Sequence, residues 1–230
     1  MKRPPLPEWP RSQLDSCHQQ LLSRGSRWKP AVLRAVHSNG QVRIVKDCQA
    51  VPFLTRFAAR YLMGRERRIM RKLEGMPGFP TVMEIVDRNA FTMVEMRGKP
   101  LEPDIFKLAP RRIADALLSM ATAMNDRGVF HLDLRQRQNI LLGQGLEVAI
   151  IDFGAAWAPN PVARWLFGGL LRNVDRSAAL KYLARFAPEH LTREEAEEVL
   201  RGMRKRKLWV LSPYRARGIE EAVRKHLQDM

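Results

Sequence analysis

The sequence predicts an α+β fold, with an antiparallel sheet in its N-terminal part and helices in most of the remainder. Short runs rich in β-branched residues, separated by turn signals, fall before residue 97. From residue 110 onward the apolar residues recur mostly at helical spacing. The 230 residues, 45% of them hydrophobic, are enough for an ordinary core. We therefore predict one lobe at 1–97, with a mobile tail at 1–12, and a second at 98–230, together forming one domain.

The first predicted elements are a short helix at 12–23 and a β-hairpin after it. The hairpin pairs strands at 31–36 and 42–46, because the Ser-Asn-Gly sequence at 38–40 is a common hairpin turn. Its second strand ends with Lys46. A lysine on a strand is more often solvated than functional. A functional role for Lys46 is therefore supported only by the motifs that follow it in the chain.

A long helix is predicted at 52–73, followed by strands at 81–86 and 90–96. The apolar positions expected to anchor the helix are Phe57, Tyr61, Ile69 and Leu73. Glu66 lies on the same helix, twenty residues after Lys46. Three arginines, Arg65, Arg67 and Arg68, lie next to it, and from the residues alone we expect it to form a surface ion pair.

The C-terminal part begins with a strong helix that Pro110 opens and Gly128 closes. The apolar segment 165–171 is expected to be buried, and its flanking arginines also suit contact with a membrane interface. A capping box at 192–195 predicts the start of a further helix, and a final helix is predicted at 218–228.

The stretch 131–154 contains the most informative residues of the chain. Two short apolar runs, at 140–142 and 146–151, flank a glycine turn and predict a second hairpin. Asp133 and Asn139 precede the first run, and Asp152 follows the second. Two carboxylates and an amide would then lie at one end of the hairpin, where they could hold Mg²⁺ and orient a hydroxyl. This pattern predicts a phosphoryl-transfer site.

Two motifs in this stretch resemble those of the protein-kinase-like superfamily. They are His131-Leu-Asp133-Leu with its downstream Asn139, and Asp152-Phe-Gly. The family places the asparagine five residues after the aspartate, where this chain has Gln138. We interpret the difference as one extra loop residue, which leaves open whether Asn139 or Gln138 reaches the metal. The resemblance implies a bilobal protein-kinase-like fold with a small antiparallel β-sheet N-lobe and a shortened, mainly helical C-lobe.

The resemblance also implies ATP and Mg²⁺ as cofactors and assigns a role to each motif residue. Lys46 would grip the nucleotide phosphates, with Glu66 orienting it. Asp133 would accept the proton of the acceptor hydroxyl, and Arg135 would neutralise charge on the γ-phosphate. Asn139 and Asp152 would hold the metal. The expectation common to these roles is that Lys46, Asp133 and Asp152 converge on one nucleotide-sized crevice between the lobes.

Two further parts of the nucleotide site are less well marked. The family's glycine-rich loop is missing, and only Gly25, between two arginines, lies where it should be. The hinge that would contact adenine corresponds to 94–97, with Val94 beside the base and the backbone of Glu95, Met96 and Arg97 reading its edge.

The net charge of +16 and the pI of about 10.8 indicate an anionic partner. Lysine and arginine are dispersed, so no dedicated nucleic-acid site is predicted, and a merely solvated basic surface is the alternative. No apolar run approaches the roughly 18 residues of a membrane span, and the N-terminus lacks the apolar core of a signal peptide. We expect a cytoplasmic protein, with peripheral contact to an acidic membrane face.

Within the superfamily, the short C-lobe, the degenerate glycine loop and the basic surface most resemble the bacterial lipopolysaccharide core (Kdo/heptose) kinases. The implied function is transfer of the γ-phosphoryl group to a hydroxyl on a core sugar or a related anionic glycan. A serine/threonine protein kinase and a nucleotide-binding pseudokinase module remain as alternatives. An aminoglycoside-type kinase needs an acidic pocket, which a chain this basic argues against.

Overall fold

The computed structural model describes residues 9–207 and 217–230, and over these residues the protein has the predicted α+β fold. Two compact units are present. The first runs to Met96 and includes 151–154, and the second contains 97–150 and the chain from 155 onward. The segment 151–154 was expected in the second lobe but clusters with the first. Most of the predicted tail, at 1–8, lies outside the described residues.

A five-stranded antiparallel sheet in the order β1-β2-β3-β5-β4 dominates the first unit. Its strands are β1 (His18–Ser23), β2 (Ala31–Val36), β3 (Val42–Asp47), β4 (Val82–Ile85) and β5 (Ala90–Val94). The predicted hairpin and the two later strands are confirmed. The predicted helix at 12–23 is wrong, because α1 covers only Arg11–Ser16. The residues after it pair with β2, since ladder hydrogen bonds outweigh the weak helical preference of so short a segment.

The long helix α2 (Phe53–Lys72) matches its prediction, but its buried face differs from the predicted one. Ile69 is buried as expected, whereas Phe57 and Tyr61 are exposed. The buried positions are Ala59, Met63, Glu66, Ile69 and Met70. They recur at three- and four-residue spacing and define one stripe, so the two aromatic residues fall on the other side of the helix.

The second unit is mainly helical. Its helices are α3 (Pro103–Leu108), α4 (Pro110–Asp126), α5 (Pro161–Phe186), α6 (Arg193–Lys207) and α7 (Arg217–Asp229). A small antiparallel sheet has the order β6-β7-β8, with β6 (Lys99–Pro100), β7 (Ile140–Leu142) and β8 (Val148–Ile150). The β7–β8 hairpin is the one predicted, and it pairs Ile140 with Ile150. Along the chain, this hairpin lies between the motif at 131–139 and the motif at 152–154.

Two further predictions for the second unit have clear outcomes. The capping box is confirmed, since the Glu195 amide donates to Thr192 Oγ1 at 3.2 Å and Glu195 Oε2 accepts from the Thr192 amide at 3.0 Å. The segment 165–171 is not the buried unit that was predicted: it belongs to α5, and Trp165 is exposed. Across the described part of the chain, no helix combines the length and apolar character needed to cross a membrane.

Candidate functional site

In the first unit, one buried lysine lies between two carboxylates. Lys46 Nζ is 2.5 Å from Glu66 Oε1 and 3.0 Å from Asp152 Oδ1. Strand β3 directs Lys46 inward, helix α2 presents Glu66 on its buried stripe, and the segment 151–154 supplies Asp152. Three residues predicted from sequence are therefore in direct contact, although they are distant along the chain.

The charges of these three side chains depend on one another. Burial would lower the pKa of Lys46, but Glu66 and Asp152 outweigh it, and the net shift in pKa is upward. The lysine is therefore cationic at neutral pH. Glu66 is as deeply buried as Lys46, whereas the side chain of Asp152 is 56% exposed. Glu66 can thus only orient the lysine, while Asp152 keeps carboxylate surface for a cation or ligand.

Asp152 adopts an unusual backbone conformation that its neighbours hold in place. Its φ is +62°, in the left-handed region that few residues other than glycine adopt. The next residue, Phe153, is buried against Phe79. Arg65 donates to the carbonyl oxygen of Gly154 at 2.7 Å. Strained residues fixed in this way cluster at functional sites, so the conformation supports a role for Asp152 beyond packing.

In the second unit, Asn139 lies against Asp133. Its amide Nδ2 donates to the main-chain oxygen of Asp133 at 3.1 Å and to Oδ2 at 3.2 Å. Asn139 is buried, whereas Gln138 is exposed. Of the two candidates for the metal-binding amide, Asn139 is thus the one next to Asp133. Both contacts use the amide nitrogen, so they do not consume the amide oxygen, the atom that would bind a cation.

The backbone of the 131–139 loop is held by a carboxylate that the sequence analysis missed. Asp175, on α5, accepts hydrogen bonds from the amides of His131 at 2.9 Å and Leu132 at 2.8 Å. His131 is fully buried, and its Nδ1 accepts from the Asp133 amide at 3.4 Å. His131 and Asp175 therefore position the loop that presents Asp133.

One feature of the sequence could have indicated the role of Asp175. It is the only acidic residue in the 26 residues of α5, and it lies between apolar positions. Burial raises its pKa to about 6, and the two backbone hydrogen bonds oppose the rise. A lone carboxylate on an apolar helix stripe predicts a buried acceptor for backbone amides, because an unpaired buried charge is too costly.

Four basic residues, here called the basic cluster, lie either in the 131–139 loop or on the part of α5 that follows Asp175. They are Arg135, Arg137, Lys181 and Arg185. Arg135 Nη2 donates to Ser177 Oγ at 3.2 Å. Ser177, Lys181 and Arg185 follow one another at intervals of four residues, so they lie on one side of α5. Among the atoms that the structure describes, Arg135 Nε is buried without a hydrogen-bond partner.

The members of the basic cluster are close enough to affect one another's ionisation. Burial lowers the pKa of Lys181, and the charges of Arg185 and Arg137 lower it further. The pKa of Tyr182 is raised chiefly by burial, and Arg137, Asp133 and Arg185 all act on it as well. Its hydroxyl donates to the Leu134 carbonyl oxygen at 2.7 Å. Asp133 and the cluster thus share one neighbourhood, which carries a surplus of positive charge.

The loop at the expected glycine-rich position connects β1 to β2 and is closed by its own hydrogen bonds. The Ser26 amide donates to the Lys29 carbonyl oxygen at 3.1 Å, and Ser26 Oγ accepts from the amides of Trp28 and Lys29. Gly25 has a φ of +68°, and a Cβ there would lie 2.5 Å from the Lys29 carbonyl oxygen. Gly25 thus permits a tight turn, and the Ser26 amide that was expected to contact phosphate is already engaged.

The segment proposed as the adenine hinge leaves the sheet where β5 ends. Val94 is the last residue of β5 and is 41% exposed. Glu95 uses its side chain in a 2.5 Å ion pair with Arg34 of β2. The backbone of Glu95, Met96 and Arg97 has no regular secondary structure, so it stands outside the strand ladder.

The described residues contain no group of three or more His, Cys, Asp or Glu side chains that could hold a metal by themselves. Each unit has one side-chain oxygen that sequence reasoning named as a metal ligand: the Asp152 carboxylate in the first and the Asn139 amide oxygen in the second.

No protein-family model matches this sequence, and no curated protein is significantly similar to it. The functional interpretation therefore depends on the side chains and the geometry described above.

Proposed function

We propose that the protein is an ATP-dependent phosphotransferase that moves the γ-phosphoryl group to a hydroxyl of an anionic acceptor. The observation that supports this most is the placement of Lys46 between Glu66 and Asp152. Burying a lysine together with a glutamate is costly, and apolar residues would be at least as stabilising there. A buried ammonium with one partly exposed carboxylate is, however, suited to grip and neutralise nucleotide phosphates.

The proposed roles divide between the two units. In the first, Lys46 contacts the α- and β-phosphates, Glu66 keeps it oriented, and Asp152 binds the Mg²⁺ that accompanies them. In the second, Asp133 accepts the proton from the acceptor hydroxyl as its oxygen bonds to the γ-phosphorus. The bond from that phosphorus to the bridging oxygen breaks, and ADP departs. Asn139 positions Asp133 through its amide nitrogen, which leaves its amide oxygen for a cation.

The acceptor class follows from the basic cluster. Arg137 and Arg185 of the cluster act on Tyr182 together with Asp133, and the acidic residues nearby are engaged elsewhere: Asp175 by backbone amides, and Glu198 by Arg176 at 2.9 Å. An acceptor that carries phosphate or carboxylate groups would be attracted there, and a cationic one repelled. A phosphorylated glycan or lipid-linked sugar, such as a lipopolysaccharide core sugar, has this chemistry. The use of ATP also agrees with a cytoplasmic location.

A transfer assay with γ-labelled ATP and Mg²⁺ tests the proposal. Lipopolysaccharide core glycans and acidic and basic model proteins are offered in parallel, each with and without the protein. Label on the glycan supports the proposal. Label on protein alone would favour a serine/threonine protein kinase instead, and the glycan acceptor would then be wrong.

The second candidate is a nucleotide-binding module without transferase activity. One observation favours it: the amides at the glycine-loop position bond within the loop. ATP binding, measured by calorimetry, without phosphate release or transfer to any acceptor would support this candidate.

A further inference from the structure

The first half of α5 presents a broad apolar face to solvent. The exposed apolar residues on it are Val162, Trp165, Leu166, Phe167 and Leu170. Trp165 is 83% exposed, Leu170 65% and Leu166 58%. On the opposite side of the same turns, Gly168 and Leu171 are buried. Exposed apolar clusters of this kind mark interaction surfaces more often than isolated apolar residues do.

The charge on α5 indicates which kind of partner this face suits. The helix carries five basic residues, namely Arg164, Arg172, Arg176, Lys181 and Arg185, and the single acidic residue Asp175. Asp175 is buried and bonded to the amides of His131 and Leu132. The exposed surface of α5 therefore offers aromatic and aliphatic side chains and no carboxylate of its own. Arg172 and Arg176 are paired with Asp126 and Glu198 of neighbouring segments, so the attraction to an anionic partner comes mainly from the net charge of +16.

We propose that the first three turns of α5 dock in the plane of an anionic lipid bilayer surface, with Trp165, Leu166 and Leu170 inserted among the headgroups. An interfacial helix combines a tryptophan- and leucine-containing face with basic residues that stay at the headgroup level. A second copy of the chain is a poorer occupant, because association would bring together two molecules that each carry a net charge of +16. The inference does not depend on the proposed function, since it concerns binding without ATP.

Vesicle binding by the full chain, without nucleotide, tests the inference. The vesicles are phosphatidylcholine alone or phosphatidylcholine with about one-third phosphatidylglycerol, so that only the surface charge differs. The protein should cosediment with the anionic vesicles, bind the neutral ones much less, and lose binding as salt is raised.

A matched pair of leucine substitutions locates the contact. Leu166→Asp should reduce the partition coefficient roughly tenfold or more, because a leucine no longer enters the interface and a negative charge opposes it. Leu108→Asp makes the same change at a leucine of α3 that is 74% exposed, and binding should fall only by the small effect of one added charge. Leu170→Asp is a second test at the proposed face, and thermal unfolding checks that all three variants fold.

Tryptophan fluorescence quenching distinguishes insertion of Trp165 into the bilayer from electrostatic attraction to its surface. Brominated lipids quench tryptophan only when the indole is near the acyl chains, so they should quench the wild-type protein on anionic vesicles. Trp165→Phe should bind as well as the wild type but lose that quenching. Equal binding to neutral vesicles, unchanged binding of Leu166→Asp, or a dimer in solution that Leu166→Asp dissociates would each overturn the proposal.

Discussion

The ammonium of Lys46 and the carboxylate of Glu66 lie 2.5 Å apart in the interior of the first unit. Neither residue is freely exposed to water, so each depends on the other for a counter-charge. Asp152 approaches the same ammonium from the segment 151–154 and is the only one of the three with a largely exposed side chain. This asymmetry sets the expected effects of substitutions in the first unit.

Glu66→Gln should destabilise the protein by about 3 kcal/mol, because it leaves the buried Lys46 with one carboxylate instead of two. Urea denaturation measures the change in the free energy of unfolding. Glu102→Gln, at an exposed position just before α3, is the matched control and should change it little. Equal stability of Glu66→Gln and the wild type would show that the pair is not formed.

The double substitution Lys46→Met/Glu66→Leu separates stability from function. Replacing both members of a buried ion pair by apolar residues is often neutral or stabilising, so this variant should unfold at about the wild-type urea concentration. It should nevertheless lose ATP binding, which calorimetry measures. Retained ATP binding would mean that the pair has only a structural role.

Asp133→Asn should reduce phosphoryl transfer by about 10²- to 10⁴-fold, the usual contribution of a general base, while ATP still binds. Single-turnover kinetics with labelled ATP measure the first quantity, and equilibrium binding the second. Asp104→Asn makes the same change at an exposed position on α3 and should leave both intact. Normal turnover by Asp133→Asn would remove Asp133 from the proposed mechanism.

Asp175→Asn should destabilise the protein more at pH 4 than at pH 7. The pKa of Asp175 is raised from 3.8 to about 6, so the folded state holds this proton more tightly than the unfolded chain. The free energy of unfolding of the wild type therefore falls as pH rises from about 4 to about 6, by about 1.4 kcal/mol per pH unit at most. The asparagine variant has no titrating group there and lacks this pH dependence. Urea denaturation of both proteins between pH 4 and pH 7 measures the difference. Parallel curves would mean that Asp175 titrates normally.

Removing part of the basic cluster should weaken acceptor binding and leave the chemical step alone. If the proposed function holds, Lys181→Ala/Arg185→Ala should raise KM for the anionic acceptor about tenfold, the value of one charge-assisted hydrogen bond, at unchanged kcat. The control Arg193→Ala/Arg201→Ala removes the same charge from α6 and should have little effect. An equal rise in KM for both variants would indicate a general charge effect rather than a site.

The contact between Lys46 and Glu66 was one of the alternatives that the sequence left open, and only the resemblance to the protein-kinase-like motifs implied it. Periodicity placed Lys46 on a strand and Glu66 on a long helix, and the structure brings the two together. The structure buries Asn139 against Asp133 and leaves Gln138 exposed, while the assignment of Asn139 to the metal stays a prediction.

Features that depend on tertiary pairing could not be predicted in this way. The residues of β1 form a strand because their backbone pairs with that of β2. Phe57 and Tyr61 look like core residues in a helical pattern, yet the buried stripe of α2 instead contains smaller residues and Glu66. Asp175 meets its partners more than forty residues away along the chain, a separation at which sequence spacing gives no guidance.

The conformation of Leu132 has a consequence for control of the protein. Its φ of +65° is one that a leucine avoids when unconstrained, and the backbone there is bonded to Asp175 on α5. The loop therefore does not hold its own shape, and α5 imposes it. A shift of α5 would move Asp175 and so act on the backbone at Leu132, the residue before Asp133. A ligand that shifts α5 on binding would thereby affect the position of the proposed catalytic base, Asp133.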